Sequence, residues 1–510
     1  MTVFILVSGV FTGPQVWDDV AARLTSAGAE VHAVALTGLG GTGPSAVGTA
    51  VDLETHIADV VAVIDRVGGE VGGAQGQEIV LVGHDYGIHP ALGAADRRAG
   101  SVARIVYLDS GLPQDGVPAL AAVADQGLRE EVLRAAEAGE GALPPPTRDA
   151  WRLWGSTADL PDAALDRLTA LAAPQPLGTL LQPLRLTGAA ASVPMAGVLC
   201  VGNGAGIAMV QARVDLGEPS LQALADPRVT FFELPTGHWP MLSGPTALAV
   251  TLLKAAAGEG HRLTPADTTK PPAHLRPFLL DVPELPRERT DNLDLYLPPA
   301  ADGPRPAVVF VHGGPVPAGA SPTPRDWPTL RGYARYAADR GMVGATLDHR
   351  LHAVTDYERA AADVADAVER VRADPRVDAD RVALWFFSGS GPLTADWMGK
   401  PPPWLRCLAA DYPIMAPLPN WGRLDARFHP ADAVAHAGAL PLVLVRAGLE
   451  SAEIAATVEE FLAAARRCGA DVEVVDVPNG HHGFETVDPT DESRAAVHRA
   501  MGTVLRHLTA

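Results

Sequence analysis

At 510 residues the chain exceeds what one ordinary hydrophobic core supports and fits two domains of about 250 residues each. Apolar residues make up 47% of it, and the formal net charge of −20 argues against nucleic acid or an anionic membrane as partner, because both attract basic surfaces. The three cysteines, Cys200, Cys407 and Cys468, are isolated, which speaks against a disulfide framework or a C-x-x-C metal site and makes a reducing cytoplasm the expected compartment.

Met1–Val7 lacks a basic leader and a small-residue cleavage site, so it is expected as a buried first strand and not as a signal peptide. Apolar runs predict further strands at 31–35, 79–82, 104–108, 198–201 and 230–234, with helices at 15–27, 52–67, 89–98 and 246–257. Runs apolar on both faces suit a parallel sheet covered by helices. Between Gly111 and Pro194 the pattern becomes Ala/Leu-rich and helical, as for a cap. Residues 258–277, rich in Gly, Pro, Thr, Lys and His, read as a linker. Alternation then resumes, with strands at 293–297, 307–312, 343–347, 382–386, 407–410, 442–446 and 472–477 and helices at 329–340, 357–373, 454–468 and 493–507. The predicted fold class is α/β: two tandem domains, 1–257 and 278–510, each a mostly parallel sheet with helices on both faces, the first carrying a helical cap over about 111–194. The halves are not sequence copies of each other. No apolar stretch is long enough to span a bilayer.

Two segments have strand–turn–helix context around a reactive side chain: Leu81-Val82-Gly83-His84-Asp85-Tyr86-Gly87 and Leu384-Trp385-Phe386-Phe387-Ser388-Gly389-Ser390-Gly391. One offers a carboxylate, the other an alcohol. In the second half, His312-Gly313-Gly314 ends an apolar strand, where small residues let backbone N–H groups approach a developing oxyanion. Ser388 follows roughly 75 residues later. An acid, Glu450, and an imidazole, His482, then follow at the ends of late strands, in the order such sites need. Glu453 is the rival acid. Alone, each would more often be a turn serine, a solvated glutamate or a surface histidine; their joint order points to chemistry.

On these residues, 278–510 resemble the α/β-hydrolase superfamily, in the branch of His-Gly-Gly esterases and dienelactone-hydrolase-like enzymes. The resemblance implies Ser388 as nucleophile, His482 as base and Glu450 as its orienter, with an oxyanion hole from the N–H of Gly389 and of Gly313 or Gly314. Phe386 and Ser390 stand where that pattern has glycines.

Residues 1–257 also resemble the α/β-hydrolase superfamily, in the branch of plant methyl esterases, hydroxynitrile lyases and bacterial relatives. The likeness rests on Leu6-Val7-Ser8-Gly9-Val10, Ala35-Leu36-Thr37-Gly38-Leu39-Gly40, Val51-Asp52-Leu53-Glu54-Thr55-His56, the Asp85 segment and Leu234-Pro235-Thr236-Gly237-His238-Trp239-Pro240. Those relatives have Ser where this chain has Asp85 and an acid where it has Asn203. An Asp at this corner resembles haloalkane dehalogenases and epoxide hydrolases, which implies attack by Asp85 on an sp3 carbon, a water activated by His238, orientation by Asp109, and an oxyanion hole at Val10 and Tyr86. Against this, the cap region contains no Tyr to protonate an epoxide oxygen. Trp151 and Trp154 are the available halide donors, although Trp is more often core. Ser8-Gly9-Val10-Phe11 replaces the usual His-Gly-x-Pro, leaving Ser8 as a donor near the site at best. An ionised Asp85 would repel a forming oxyanion, which disfavours ordinary ester hydrolysis there. A domain that has lost its chemistry and serves packing, gating or dimerisation is the alternative.

The function expected is hydrolysis of a carboxylic ester or lactone at Ser388. The alternatives are epoxide or C–halogen hydrolysis at Asp85, or a non-catalytic scaffold of two degenerate domains. No cofactor is expected: Gly38-Leu39-Gly40-Gly41-Thr42-Gly43 lacks dinucleotide-binding spacing and reads as a loop beside the pocket. No metal is expected either, since the histidines lack ligand spacing. The expected partner is a small-molecule substrate, and oligomeric state is open.

Overall fold

A computed structural model describes residues 1–39, 51–70, 78–123, 125–204, 206–215, 219–265, 269, 271–299, 303–418, 421 and 424–509. Gly40–Gly43 of the glycine-rich loop lies outside the described residues. The chain divides into two compact units, Met1–Ala266 and Asp267–Ala510, so the division falls inside the Gly/Pro-rich stretch. Among the described residues no helix is long and apolar enough to cross a membrane.

The strands of the first unit are β1 (Thr2–Val7), β2 (Glu30–Ala33), β3 (Glu78–His84), β4 (Val102–Leu108), β5 (Ala142–Leu143), β6 (Gln175–Pro176), β7 (Met195–Cys200) and β8 (Val229–Leu234). Six of them form a parallel sheet in the order β2-β1-β3-β4-β7-β8. Its inner strands are Val/Ile/Leu runs buried on both faces, as a helix-covered parallel sheet requires. The helices Asp18–Ser26, Leu53–Glu70, Ile88–Arg97 and Pro245–Ala256 match the predicted ones, the first preceded by a 3-10 turn at Pro14–Trp17. The 111–194 region holds the helices Gln126–Glu137, Asp162–Leu171 and Leu177–Leu181. It also holds the β5–β6 pair, whose two-residue strands are too short to show periodicity. The first unit runs past 257: His261 and Phe231 exchange backbone hydrogen bonds of 2.7 and 2.9 Å.

The second unit contains β9 (Arg287–Thr290), β10 (Leu293–Tyr296), β11 (Arg305–Val311), β12 (Val343–Leu347), β13 (Val377–Phe387), β14 (Leu405–Asp411), β15 (Leu442–Ala447) and β16 (Val472–Val477). They form one sheet in the order β16-β15-β14-β13-β11-β12-β10-β9, antiparallel only around β10. The sequence pattern did not reveal β9, an edge strand whose residues are all exposed. It is held by charge instead: Arg289 meets the fully buried Asp294 at 2.7 Å, and Arg287 meets Asp326 at 2.5 Å. The strand that leads to Ser388, β13, is buried over its last six residues: Leu384 and Phe386 are 0% exposed, each such side chain stabilising by about 1.5–3 kcal/mol. The helix Ala452–Cys468 starts directly after Glu450, with the Ser451 hydroxyl accepting from the Ile454 N–H and Gly469 in the left-handed region at its end. That start fixes where Glu450 can reach.

Candidate active sites

Ser388 stands at the corner where β13 ends, with φ +49°. This conformation is strained for a residue with a Cβ and lifts the side chain off the strand end. The corner depends on Gly389: a Cβ there would lie 1.8 Å from the Gly314 carbonyl oxygen. Phe386 and Ser390 replace glycines because a 3-10 segment, Ser388–Leu393, delays the following helix. The buried Ser390 hydroxyl accepts from the Phe387 N–H at 2.9 Å and reaches the carbonyls of Phe387 and Val311 at 2.7 and 3.2 Å. A side-chain hydrogen bond thus braces this corner.

Ser388 Oγ lies 2.7 Å from His482 Nε2, and His482 Nδ1 lies 2.5 Å from Glu450 Oε2. A carboxylate only accepts, so Nδ1 carries the proton and Nε2 offers its lone pair to the Ser388 hydroxyl. The other Glu450 oxygen accepts from the Ser451 N–H at 2.9 Å. Glu453 instead enters the first turn of the next helix. The Gly313 backbone lies against Ser388: a Cβ at 313 would be 2.9 Å from Ser388 Cβ. The His312 side chain serves elsewhere, stacked on His349 at 3.6 Å. Burial holds its pKa well below the usual imidazole value. One contact escaped the sequence reading: Tyr412, with φ +33°, presents its ring edge-on to His482 at 4.8 Å. Its only sequence signal is its place directly after the strand next to β13.

In the first unit Asp85 occupies the matching corner, with φ +50°. Gly9 makes room for it, since a Cβ at 9 would lie 2.9 Å from both Asp85 Cβ and Oδ2. The Val10 N–H donates to Asp85 Oδ2 at 3.2 Å. His238 Nε2 is 3.9 Å from the same oxygen, and His238 Nδ1 is 2.6 Å from Asp109 Oδ2. Asp109 also accepts from the Cys200 N–H at 3.0 Å and from Asn203 Nδ2 at 2.7 Å. Asn203 is therefore a neutral companion to the acid, and its own oxygen accepts from the Ser156 N–H at 2.7 Å. His84 Nε2 donates to the His238 carbonyl at 2.7 Å and braces that loop.

The electrostatics follow from this packing. Burial works against charge on His238, but the hydrogen bond it donates to Asp109 and the charges of Asp109 and the nearby Asp85 outweigh it and raise the imidazole pKa to about 10. Burial likewise opposes ionisation of Asp85, and the nearby His238, His84 and the hydrogen bond from the Val10 N–H bring it down to about 2. The site rests as a carboxylate–imidazolium pair in a largely enclosed place, with the Asp85 side chain 29% exposed.

Two expectations for this unit are corrected. The Ser8 hydroxyl is no donor to the site: it donates to the Gly13 carbonyl at 2.9 Å and accepts from Trp17 Nε1 at 3.1 Å. Trp151 is no halide donor, because its indole N–H is committed to Thr169 Oγ1 at 3.0 Å and its ring is fully buried. Trp154 packs edge-on against Phe11 at 4.8 Å. The Tyr86 side chain also points away from Asp85 chemistry, with its hydroxyl 2.8 Å from His56 Nδ1. Among the described residues no group of His, Cys, Asp and Glu is placed to hold a metal ion.

Comparison with known proteins agrees with these folds. The profile of the "Alpha/beta hydrolase family" matches residues 4–251, and that of BD-FAE matches residues 293–398. A carbendazim hydrolyzing esterase from Nocardioides sp. (strain SG-4G) is 36% identical over 132 residues, 26% of this chain and 51% of its own. The chain thus spans about half the length of that curated relative. Among solved structures, an extracellular alpha/beta-hydrolase from a Paenibacillus species aligns with a TM-score of 0.40 at 19% identity, over 50% of this chain and 99% of its own. Tomato Methylketone Synthase I aligns with a TM-score of 0.38 at 18% identity, over 50% and 98%. Residues 4–251 thus match the alpha/beta hydrolase family and residues 293–398 match BD-FAE, and each of the two units is built on a mostly parallel sheet with helices.

Proposed function

We propose that the second unit hydrolyses a carboxylic ester or lactone of a small molecule, with Ser388 as nucleophile. The observation that carries this is the continuous relay Ser388–His482–Glu450, at 2.7 and 2.5 Å. His482 Nε2 takes the hydroxyl proton as Oγ attacks the carbonyl carbon. The tetrahedral oxyanion faces the N–H of Gly389 and of Gly313 or Gly314. His482 then returns the proton to the departing alkoxide, leaving an acyl-Ser388. Water, deprotonated by the same nitrogen, releases the acid. Glu450 holds the Nδ1 proton and stabilises the imidazolium. Fluorophosphonate labelling with peptide mapping tests it: the label belongs on Ser388, and aryl-acetate hydrolysis disappears in Ser388→Ala. A label elsewhere, or hydrolysis undiminished in that variant, sinks the reading.

A second reading, for the first unit, rests on the Val10 N–H. It binds the enzyme's own Asp85 oxygen, where a serine enzyme would bind the substrate's. Acyl transfer is therefore disfavoured, and attack of the carboxylate on an sp3 carbon is favoured. Displacement of halide, or opening of an epoxide, forms an alkyl ester on Asp85. A ring-opened alkoxide takes its proton from the His238 imidazolium, which supplies the acid that the Tyr-free cap does not. Esterification also removes one of the two charges that keep His238 protonated, freeing it as base for water. Water attacks the Asp85 carboxyl carbon, and the new oxyanion develops beside the Val10 N–H. Single turnover in heavy-oxygen water places isotope in the Asp85 carboxylate. Absence of isotope together with absence of turnover of any haloalkane or epoxide leaves the first unit a non-catalytic scaffold.

A further inference from the structure

Behind His482 lies a polar cluster that the relay does not use. Asp411 ends β14, and Glu485 stands three residues after His482 in the short helix Phe484–Val487. Both are buried, 0% and 1% exposed. Tyr333, from the helix Pro328–Asp339, holds its hydroxyl 2.9 Å from Asp411 Oδ2 and 3.0 Å from Glu485 Oε1. A phenol has one proton to donate, so it satisfies one carboxylate and must accept from the other group or repel it. The remaining oxygens, Asp411 Oδ1 and Glu485 Oε2, are buried without a donor. The two carboxyls converge on that one phenol oxygen, and the charge of Glu485 bears on Asp411. Two bare carboxylates there would repel each other and leave buried acceptors unsatisfied. A proton between them removes both penalties.

We propose that Asp411 and Glu485 hold one proton in common, and that this bond fastens the segment carrying His482 to the strand end beside the elbow, setting the imidazole against Ser388. The inference rests on the esterase reading of Ser388. Three elements present titratable groups to the pair. Tyr333 comes from its helix. Tyr412, directly after Asp411, meets His482 edge-on at 4.8 Å and Phe484 at 5.8 Å. His482 lies beyond it, with Glu450 also bearing on Tyr412. Burial, then the Glu485 charge, pushes the Asp411 carboxyl well above the usual carboxylate range, and burial pushes Glu485 up as well. Asp411, Glu485 and Tyr333 are positioning residues, since none touches the reacting atoms.

The test uses the full chain and aryl-acetate hydrolysis against pH. Wild-type kcat/KM falls on the alkaline side as the common proton leaves. In Glu485→Gln the amide bonds Asp411 without titrating, so that fall moves up by about one pH unit or more, or vanishes. Glu485→Ala lowers kcat with little change in KM, and Gln at the same position restores it. An alkaline limb unmoved in Glu485→Gln overturns the proposal. A second measurement, Tm against pH in the inactive Ser388→Ala background, is independent of catalysis. A carboxyl raised in the folded state stabilises fully below its unfolded pKa and loses that contribution as pH rises to the folded value. Tm therefore declines with rising pH, and Glu485→Gln flattens the decline; equal slopes overturn the proposal. Failure of Ser388 to take a fluorophosphonate label instead overturns the esterase reading alone, and the Tm slopes still judge the common proton.

Discussion

The two units turn the same corner and seat the acid differently. In the first, His84 pairs with Leu108 across the sheet and Asp109 comes next; in the second, Phe387 pairs with Asp411 and Tyr412 comes next. Asp109 and Tyr412 both have positive φ, 45° and 33°. One strand further, Leu108 pairs with Val198 and Asp411 with Val445. Counting on equally from those residues reaches Asn203 in one unit and Glu450 in the other. The sheet thus offers two seats from which a side chain can reach the Nδ1 side of the histidine. The first unit puts its carboxylate in the nearer seat and an amide in the farther. The second puts a phenol ring in the nearer and its carboxylate in the farther. The residue at the corner explains the constraint. With Asp85 already a carboxylate, acids in both seats would set three negative charges around one imidazole, so one seat stays neutral. The same contrast surrounds the imidazoles: two carboxylates flank His238 and keep it charged, whereas one carboxylate and one hydroxyl flank His482.

Four substitutions separate the two units. The largest effect is on the nucleophile: Ser388→Ala lowers aryl-acetate kcat by about 10⁴-fold or more, while Asp85→Asn leaves it unchanged. An ester activity lost in Asp85→Asn would reverse the assignment of roles. Next, Glu450→Gln costs about 10³-fold in kcat, and Tyr412→Asp in that background recovers part of it by using the other seat, measured by steady-state kinetics. No recovery with a folded protein means the seats are not equivalent. Third, Gly389→Ala drives a Cβ into the Gly314 carbonyl and destabilises by about 3 kcal/mol or more, read from urea denaturation. The smallest effect is electrostatic. His238 is raised to about 10, so its contribution to stability is complete below about 6.5, the unfolded value, and declines as pH climbs from there to about 10. Asp109→Asn flattens this decline and moves the His238 titration, followed by NMR, down toward neutrality. A titration unmoved by that substitution would show that Asp109 does not hold the proton.

Much of the fold was legible because parallel-sheet strands buried on both faces read as continuous apolar runs, as in β1 and the second half of β13. The edge strand β9 was not, because Arg287–Thr290 has no apolar side to alternate. At the sites, the residue types and their chain order were legible: a Ser or an Asp at a strand–helix corner, acids after later strands, a terminal His. The surroundings were not. Ser390 reads as a broken glycine pattern until its hydroxyl is seen bracing the corner. Ser8 and Trp151 read as donors until Gly13 and Thr169 are seen to occupy them. The Asp411–Glu485 pair draws its Tyr333 partner from a helix far earlier in the chain, and no local pattern joins the three.

Local residue patterns are enough to establish that the chain repeats an α/β architecture, with an alcohol at one corner and a carboxylate at the other. These are properties of short stretches, set by side-chain period and chemistry within a few residues. Which acid meets which histidine and which donors are already spent emerge from the folded arrangement alone. Those outcomes depend on distance and burial among groups that the sheet brings together from widely separated parts of the chain.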